Sequence, residues 1–448
     1  MSYKEHIKKN ISLALPVMLS QMGQVLVGVA DSVMVGRVGV EPLAASSLAN
    51  SLFYFIFMFG VGVSYAITPL VAKADSIDDH RESGVLLRHG LLTNMVVALV
   101  LFLLLMLATR LIHLLKQPET VIVLSVPYLI VISVSLLPFM LFQTFRQFCE
   151  GLSLTKVPMY FTIAANVINI MLNYILIFGK LGFEPMGLMG AGWATLIARL
   201  LMGAGMALYV IYAKRFKHYR EGFATIKIKV ERLKKLLELG IPTGMQFIFE
   251  VGAFAAAAIM AGWLGTEPLA AHQIAINLSS LSYMMASGIS AAATVRVGNQ
   301  MGRRDIPMLI KAGRSSFVLA ASFMTICGIT FITGKELLPS FYVDEASVIN
   351  IAASLLVIAA FFQVSDGLQV VGLGALRGME DVKIPTVITL FAYWVVGLPM
   401  GYLLGFHWHL GIEGIWYGLL TGLSLSAIML LLRFHFLTQK KLSYFSKV

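Results

Sequence analysis

GIPTGMQFIFEVGAFAAAAIMAGWLGTEPLAA, residues 240–271, begins with an apolar run long enough to cross a lipid bilayer. Up to Leu264 this run is interrupted by only three polar side chains, those of Thr243, Gln246 and Glu250. At about 1.5 Å of rise per helical residue, Glu250 lies about 15 Å from the start of the run, near the middle of a bilayer. An ionised carboxylate at that depth costs several kcal/mol unless it faces a partner or a water-filled cavity. We therefore predict that Glu250 has a function.

The composition of the whole chain points to a membrane protein. Of its 448 residues, 58% are hydrophobic and 13% are charged, and the mean hydropathy is +0.83. A net charge of +11 would suit nucleic-acid binding, but basic loops on one side of a membrane explain it better, so we expect no nucleic-acid partner. Cys149 and Cys327 fall within or at the end of apolar runs, and their spacing predicts neither a disulfide framework nor a metal site.

Eleven further apolar runs accompany the one that contains Glu250. With rough limits, the twelve runs cover residues 11–35, 46–72, 89–115, 121–148, 158–179, 190–213, 240–264, 271–295, 312–334, 348–375, 384–406 and 413–437. Each is long enough to span a bilayer as a helix. The sequence therefore predicts an all-α polytopic membrane protein with twelve transmembrane helices.

The basic residues predict the orientation of these helices. With an even number of spans, both termini lie on the same side as the segment 214–235, which joins the sixth and seventh runs. That side carries 28 of the 34 lysines and arginines. The opposite side carries five: Arg37, Arg110, Lys116, Lys180 and Lys335. Because basic loops stay in the cytoplasm, we expect cytoplasmic termini and a plasma (inner) membrane location.

The chain contains an internal repeat. Shifting it by 226 residues places Pro16 on Pro242 and the EPLAA sequence of residues 41–45 on that of residues 267–271. We therefore divide the chain into an N-lobe at residues 1–213, a basic cytoplasmic linker at 214–235 and a C-lobe at 236–448. A six-span repeat begins and ends on one side of the membrane, so the two lobes are predicted to be parallel repeats with the substrate between them.

The sequence carries no recognisable motif for catalysis or for nucleotide binding. The segment GITFITGK, residues 328–335, resembles a phosphate-binding loop, but one residue too many separates its glycines and Glu336 follows its lysine. No set of histidines, cysteines and acids shows a recognisable catalytic spacing either. We expect neither an enzyme nor a protein driven by ATP, and we expect no cofactor beyond a coupling ion.

Charged residues inside the predicted spans are the candidate functional groups. Glu250 lies in the seventh span, Asp366 in the tenth and Asp31 in the first. A carboxylate that merely bonds two helices together is the alternative for each, but helices are usually joined by neutral polar groups, so we favour function for all three. Arg199, in the sixth span, either extends its charge toward the membrane surface or pairs with one of these acids.

Two further sets of residues are weaker candidates. Asn166, Asn169 and Asn173 recur on one face of the fifth span and suit either hydrogen bonds between helices or contacts to a substrate or ion. Tyr393, in the eleventh span, has a ring whose face could attract an organic cation, although most aromatic residues in spans serve packing.

Together these residues resemble the multidrug and toxic-compound extrusion (MATE) family, and the two acids of the C-lobe resemble its NorM-like branch. The resemblance covers nearly the whole chain. The resemblance rests on Leu15-Pro16, Asp31, the paired EPLAA segments, the fifth-span sequence NVINIMLNYILIFG, Glu250, and Asp366 with the following GALRGMEDVKIP. It implies a V-shaped pair of six-helix lobes that exports cationic and amphipathic drugs against an inward flow of Na⁺ or H⁺. It also implies that Glu250 and Asp366 bind the coupling ion, and that Asp31 is the acid of the N-lobe.

Charge considerations agree with this mechanism. A proton needs one buried carboxylate, whereas Na⁺ needs several oxygens, so acids from two helices favour Na⁺ over H⁺. Two other functions remain open: a lipid or lipid-linked oligosaccharide flippase of the same superfamily, which would need cationic cavity residues, and a major-facilitator-type H⁺ antiporter. We expect small-molecule cations as substrates, the lipid bilayer as the surroundings, and a monomer.

Overall fold

The structure is a computed structural model that describes residues 3–115, 117–224 and 227–445. Almost all of these residues are helical, and the described part of the chain contains no β-strand. Lys116 and Lys447, which the orientation prediction counts, lie outside it.

Each of the twelve predicted runs lies within a long helix or a broken pair of helices, to within a residue at the ends. These are α1 (Tyr3–Gly36), α2 (Val40–Asp75), α3 (His80–Leu115), α4 (Glu119–Gly151), α5 (Lys156–Phe178), α6 (Leu188–Tyr212), α7 (Val230–Leu264), α8 (Thr266–Gly302), α9 (Ile306–Thr333), α10 (Ala346–Gly378), α11 (Lys383–His407) and α12 (Gly411–Phe445). Short helical segments at Lys214–Tyr219, Arg220–Phe223 and Leu337–Ser340 lie between them. Helix α2 is interrupted at Tyr65–Ala66 and α4 at Ser135.

Eleven of these helices are long and apolar enough to cross a membrane, so the count falls one short of the predicted twelve among the described residues. The exception is α8, which has 37 residues and therefore ample length. Its sequence is rich in serine, alanine and polar residues, which lowers its mean hydropathy. Many of its serines and threonines donate hydrogen bonds to main-chain carbonyls. Two of these bonds reach α10, from Ser290 to the Val370 carbonyl at 2.7 Å and from Thr294 to the Gly374 carbonyl at 2.8 Å. Polar residues that are satisfied inside the protein thus replace apolar ones.

The internal repeat is visible in the backbone. Asp79 and Asp305, related by the 226-residue shift, begin α3 and α9 in the same way. Each carboxylate accepts a hydrogen bond from a main-chain N–H three residues later, at 2.9 Å from Glu82 and 3.0 Å from Met308. Such caps satisfy an otherwise unpaired donor at a helix start. The residue before each cap has the same unusual positive φ, 59° and 58°.

The chain packs as two compact units. The N-unit is Leu19–Gly244, and the C-unit consists of the residues up to Met18 together with those from Met245 onward. The beginning of α1 therefore belongs to the C-unit and the beginning of α7 to the N-unit. The lobe limits at 213 and 236 describe the sequence repeat, and they stay a prediction.

In the N-unit, the basic segment after α6 is hydrogen-bonded to the start of α3 and to the end of α2. Arg88 donates a hydrogen bond to the Phe223 carbonyl at 3.2 Å, and Arg232 Nε donates to the Glu82 carboxylate at 2.8 Å. The Tyr219 hydroxyl donates to Asp75 at 2.8 Å. Burial and this neighbouring carboxylate raise the pKa of Tyr219 above its ordinary value.

In the C-unit, the start of α1 is bonded to α8 and α9. Arg296 donates to the His6 carbonyl at 2.7 Å and to Asn10 Oδ1 at 3.0 Å. The Asn10 amide donates in turn to Ser315 at 3.1 Å and Ser316 at 2.9 Å. These bonds satisfy a buried arginine without a carboxylate partner among them.

Glycines bring α11 and α12 into close contact. Gly397, Gly401 and Gly405 recur every four residues on α11 and face Gly414, Gly418 and Gly422 on α12. A Cβ added to Gly418 would lie 2.3 Å from the Cα of Gly401, so no larger residue fits there. Small residues at this spacing allow two membrane helices to approach closely. Their packing fixes the position of α11, which widens into a π-helix at Phe391–Gly397.

Candidate functional site

Glu250 lies at the centre of a hydrogen-bonded group in the C-unit. Its side chain, on α7, is 6% exposed. Its Oε1 accepts one hydrogen bond from Gln246, one turn earlier on α7, at 3.2 Å, and another from Gln369 of α10 at 3.0 Å. The side chain of Tyr283, on α8, also bonds Glu250. Side chains from three helices thus hold one carboxylate, which keeps its orientation fixed.

Tyr393 orients the amide of Gln369. The tyrosine hydroxyl donates to Gln369 Oε1 at 2.9 Å, which leaves the amide nitrogen to donate to Glu250. Tyr393 lies in the π-helical turn of α11, is 2% exposed, and packs its ring 6.1 Å from that of Phe254. The structure therefore places its hydroxyl in the site; the use of its ring face for a cation stays a prediction.

Asp366 is the second acid of this site. It is 5% exposed, lies one turn before Gln369 on α10, and interacts electrostatically with Glu250. Two neighbouring buried carboxylates repel each other unless a proton or a metal cation lies between them. The pair that the sequence singles out is thus brought within electrostatic range, and its chemistry favours taking up a cation.

Gln363 lies one turn before Asp366 on the same helix. Its side chain is fully buried, and neither atom of its amide has a hydrogen-bond partner. A buried amide without partners is costly, which marks this region of α10 as one where a ligand would supply bonds. The oxygen of such an amide is a ligand type that hard cations accept.

A second polar group lies in the N-unit around Asp31. The amide nitrogen of Asn173, on α5, hydrogen-bonds the Asp31 carboxylate and also Asn169 Oδ1 at 3.1 Å. Asn169 donates in turn toward Thr195 Oγ1, on α6, at 3.4 Å. Asn173 Oδ1 is buried and has no partner. The structure therefore joins Asp31 to two of the three predicted asparagines.

The third asparagine packs against the α1 backbone. A Cβ added to Gly23 would lie 2.7 Å from the Asn166 amide nitrogen, so the amide sits directly on that glycine. Arg199 interacts electrostatically with Asp31, which agrees with the pairing alternative rather than with extension toward the membrane surface. Its Nη1 donates to the Ser135 hydroxyl at 2.8 Å.

Several members of these groups were not predicted. Gln363 and Gln369 lie three residues before and after Asp366, so helical spacing around that acid was a signal for both. Tyr283 and Thr195 come from other helices, and nothing in their local sequence separates them from packing residues. Their roles follow from tertiary contacts alone.

Comparison with known proteins agrees with the resemblance found in the sequence. The family profile MatE matches residues 16–175 and again residues 242–403, and the two matches start at the same separation as the internal repeat. The chain is 35% identical over 438 residues to the "Multidrug resistance protein NorM" of Photobacterium profundum, covering 96% of each chain. It is 34% identical to the "Probable multidrug resistance protein NorM" of Mesorhizobium japonicum, covering 96% of this chain and 94% of that one.

Solved structures show the same fold. The eukaryotic MATE transporter AtDTX14 superposes with a TM-score of 0.88 at 21% identity, covering 98% of both chains. A MATE structure in the bent conformation superposes with a TM-score of 0.90 at 19% identity, covering 99% of both. The family match excludes the major-facilitator alternative. The chain is a multi-pass membrane protein of the MatE family, and the two relatives described above carry the name NorM.

Proposed function

We propose that this protein exports organic cations through the membrane in exchange for an inward flow of Na⁺. The observation that carries the proposal is the pair of buried carboxylates in the C-unit, Glu250 and Asp366, which interact with each other. The names of the NorM relatives, which refer to multidrug resistance, support small-molecule drugs as the substrates.

The surroundings of the two acids favour Na⁺ over H⁺. Sodium is a hard cation that needs several oxygen ligands, which two carboxylates from α7 and α10 supply. Gln246 and Gln369 both donate to the same oxygen, Glu250 Oε1, and thereby stabilise the ionised carboxylate that a metal cation needs. A proton would need only one acid and no such donors.

Asp31 is the proposed acid of the N-unit, which holds the cationic substrate or relays protons. Its half-buried carboxylate attracts organic cations electrostatically, and the asparagine amides of α5 hold it in place. Binding of a proton or metal cation removes negative charge from the interior. The coupling ion and the cationic substrate therefore compete through shared electrostatics.

The membrane potential supplies the driving force. Each positive charge that moves inward gains about 2.3 kcal/mol per 100 mV, which drives export without ATP. An inward driving force on cations fits the proposed plasma (inner) membrane location and the cytoplasmic termini. Because each group of acids lies within one chain, we propose that the monomer is the working unit.

The flippase alternative is less well supported. Recognition of a lipid-linked pyrophosphate would need free cationic side chains, and Arg199 was the one candidate inside a span. Its guanidinium donates to Ser135 and lies against three phenyl rings, which leaves it poorly placed for a phosphate.

Drug accumulation in a pump-deficient bacterial host tests the proposal. Cells that express the protein should accumulate less of a fluorescent organic cation than cells with the empty vector, and external Na⁺ at constant pH should enlarge that difference. Cells that express Glu250→Gln should lose the Na⁺ effect, whereas cells that express the exposed-site control Glu267→Gln should keep it. Equal accumulation in cells with the wild-type protein and with the empty vector, at verified expression, would contradict drug export.

A further inference from the structure

Three phenyl rings surround the guanidinium of Arg199 in the N-unit. The Arg199 Cζ atom lies 5.1 Å from the ring centre of Phe53, 5.4 Å from that of Phe57 and 5.2 Å from that of Phe139. We call these three residues the phenyl cage. Phe53 and Phe57 come from α2 and Phe139 from α4, and the rings also contact one another, with Phe57 and Phe139 centred 4.6 Å apart.

The cage has the geometry of a binding site for cations. A cation within about 6 Å of a ring centre is attracted by the negative face of the ring, and desolvated pairs are the strongest. Phe53 and Phe139 are each 5% exposed, which fixes their rings, whereas Phe57 and Arg199 are half-buried. The guanidinium itself is buried, so Arg199 occupies the ring faces that a ligand cation would need.

Arg199 also acts on Asp31. The two side chains interact electrostatically, so the same guanidinium offsets the negative charge of the acid and covers the ring faces. Both features would attract an organic cation if Arg199 were absent. Ser135, at the interruption of α4, holds the guanidinium by a 2.8 Å hydrogen bond.

We propose that the phenyl cage is a second binding site for flat organic cations, and that Arg199 is a built-in competitor which occupies it and sets the affinity of the N-unit for such compounds. The inference rests on the proposed export of organic cations and adds a specificity-determining residue to it. An internal competitor weakens binding, which favours release over retention of an exported compound.

The experiment measures binding of ethidium, a flat organic cation, to purified full-length protein by its fluorescence, without any ion gradient. Arg199→Met removes the charge but keeps an unbranched apolar side chain, and it should bind ethidium about tenfold more tightly than wild type. Arg199→Gln should shift the affinity in the same direction, and Arg199→Lys, which keeps the charge, should stay near wild type. Phenanthridine, the neutral parent ring, should bind wild type and Arg199→Met alike.

A further variant assigns the gain to the cage. Arg199→Met combined with Phe139→Leu keeps an apolar residue but removes one ring face, and it should lose most of the gain. A purely structural role for Arg199 predicts weaker binding when it is removed, which is the opposite sign. Arg199→Met and Arg199→Gln that bind ethidium as wild type does or more weakly, with melting temperatures near wild type, would overturn the proposal.

The result is separable from that of the transport experiment. Equilibrium binding requires no coupling, so a protein that binds as expected but shows no Na⁺-dependent export contradicts the coupling proposal and leaves the cage intact. Export that depends on Na⁺, together with unchanged affinity in both Arg199 variants, contradicts the cage alone.

Discussion

Gln369 is the residue through which α11 reaches the C-unit acids. It accepts a hydrogen bond from Tyr393 and donates one to Glu250, so one amide links α11 through α10 to α7. A hydrogen bond to an ionised carboxylate is worth more than one between neutral groups. The geometry of the proposed ion site is therefore sensitive to residues that carry no charge.

Removal of the Gln369 amide should weaken Na⁺ binding. In Gln369→Leu the ionised form of Glu250 loses a buried donor, and we expect the Na⁺ concentration for half-maximal drug efflux to rise about tenfold. Tyr393→Phe leaves the donor in place but frees its orientation, so its effect should be smaller. Gln273→Leu, the same substitution at an exposed position, is the control. An equal rise in the half-maximal Na⁺ concentration for Gln273→Leu would contradict the role of Gln369.

Asp31 should matter for the substrate rather than for folding. Asp31→Asn removes the charge that attracts organic cations but keeps the size of the side chain and a hydrogen-bonding oxygen. We expect loss of cation export with expression and melting temperature close to wild type. Asp344→Asn, at an exposed position, is the matched control. If Asp31→Asn confers the same resistance to cationic drugs as wild type at equal expression, Asp31 is a packing residue.

The sequence predicts the charged residues of both groups but few of their partners. Glu250, Asp366 and Asp31 stand out because a carboxylate in an apolar run is costly whatever surrounds it. Thr195 does not, because threonine hydroxyls in membrane helices usually bond their own backbone, and Tyr283 does not, because most aromatic residues in spans serve packing. Only the packing of α6 and α8 shows that these two reach a neighbouring helix.

At the scale of the helix, glycines decide how closely α11 approaches α12. The three glycines on each helix place the backbones in contact, and a Cβ at Gly414 would lie 2.5 Å from the nitrogen of Gly405. The π-helical turn that carries Tyr393 ends at Gly397, the first of these glycines on α11. The glycine contact therefore sets the position of the Tyr393 hydroxyl.

Gly418→Val should destabilise the protein. The added side chain would meet the backbone of Gly401, which cannot move aside without separating the helices, and overpacking of this kind costs about 1–3 kcal/mol. We expect a lower melting temperature and a weaker Na⁺ dependence, because Tyr393 moves with α11. Gly28→Val is the control for stability, since a Cβ at Gly28 meets no atom within 4 Å. Equal melting temperatures for the two variants would show that the contact contributes nothing.

Helix positions were predictable because bilayer-spanning length and apolar character are local properties. The predicted runs lie within α1–α12, and the structure mainly lengthens them with polar turns at their ends. The limit of this reasoning is seen in α8, whose polar residues bond to α10 and lower its hydropathy below that of the other helices. The breaks in α2 and α4 and the π turns of α11 depend on packing, which hydropathy does not report.

At the scale of the whole molecule, the distribution of basic residues predicts the orientation in the membrane. Glu184, between α5 and α6, is predicted to lie outside the cell, and Lys227, in the linker, inside; both are exposed. In a protein whose Cys149 and Cys327 are replaced by serine, a membrane-impermeant maleimide should label Glu184→Cys in intact cells and Lys227→Cys only after lysis. The reverse pattern would invert the topology.

We propose that a Na⁺ gradient acting on Glu250 and Asp366 drives export. The most direct measurement is efflux of an organic cation from proteoliposomes with an imposed Na⁺ gradient and clamped pH on both sides. We expect Na⁺ to stimulate efflux by wild type and by Glu267→Gln, and we expect Glu250→Gln and Asp366→Asn each to abolish the stimulation. A wild-type protein that ignores the Na⁺ gradient and responds to a proton gradient alone would contradict it.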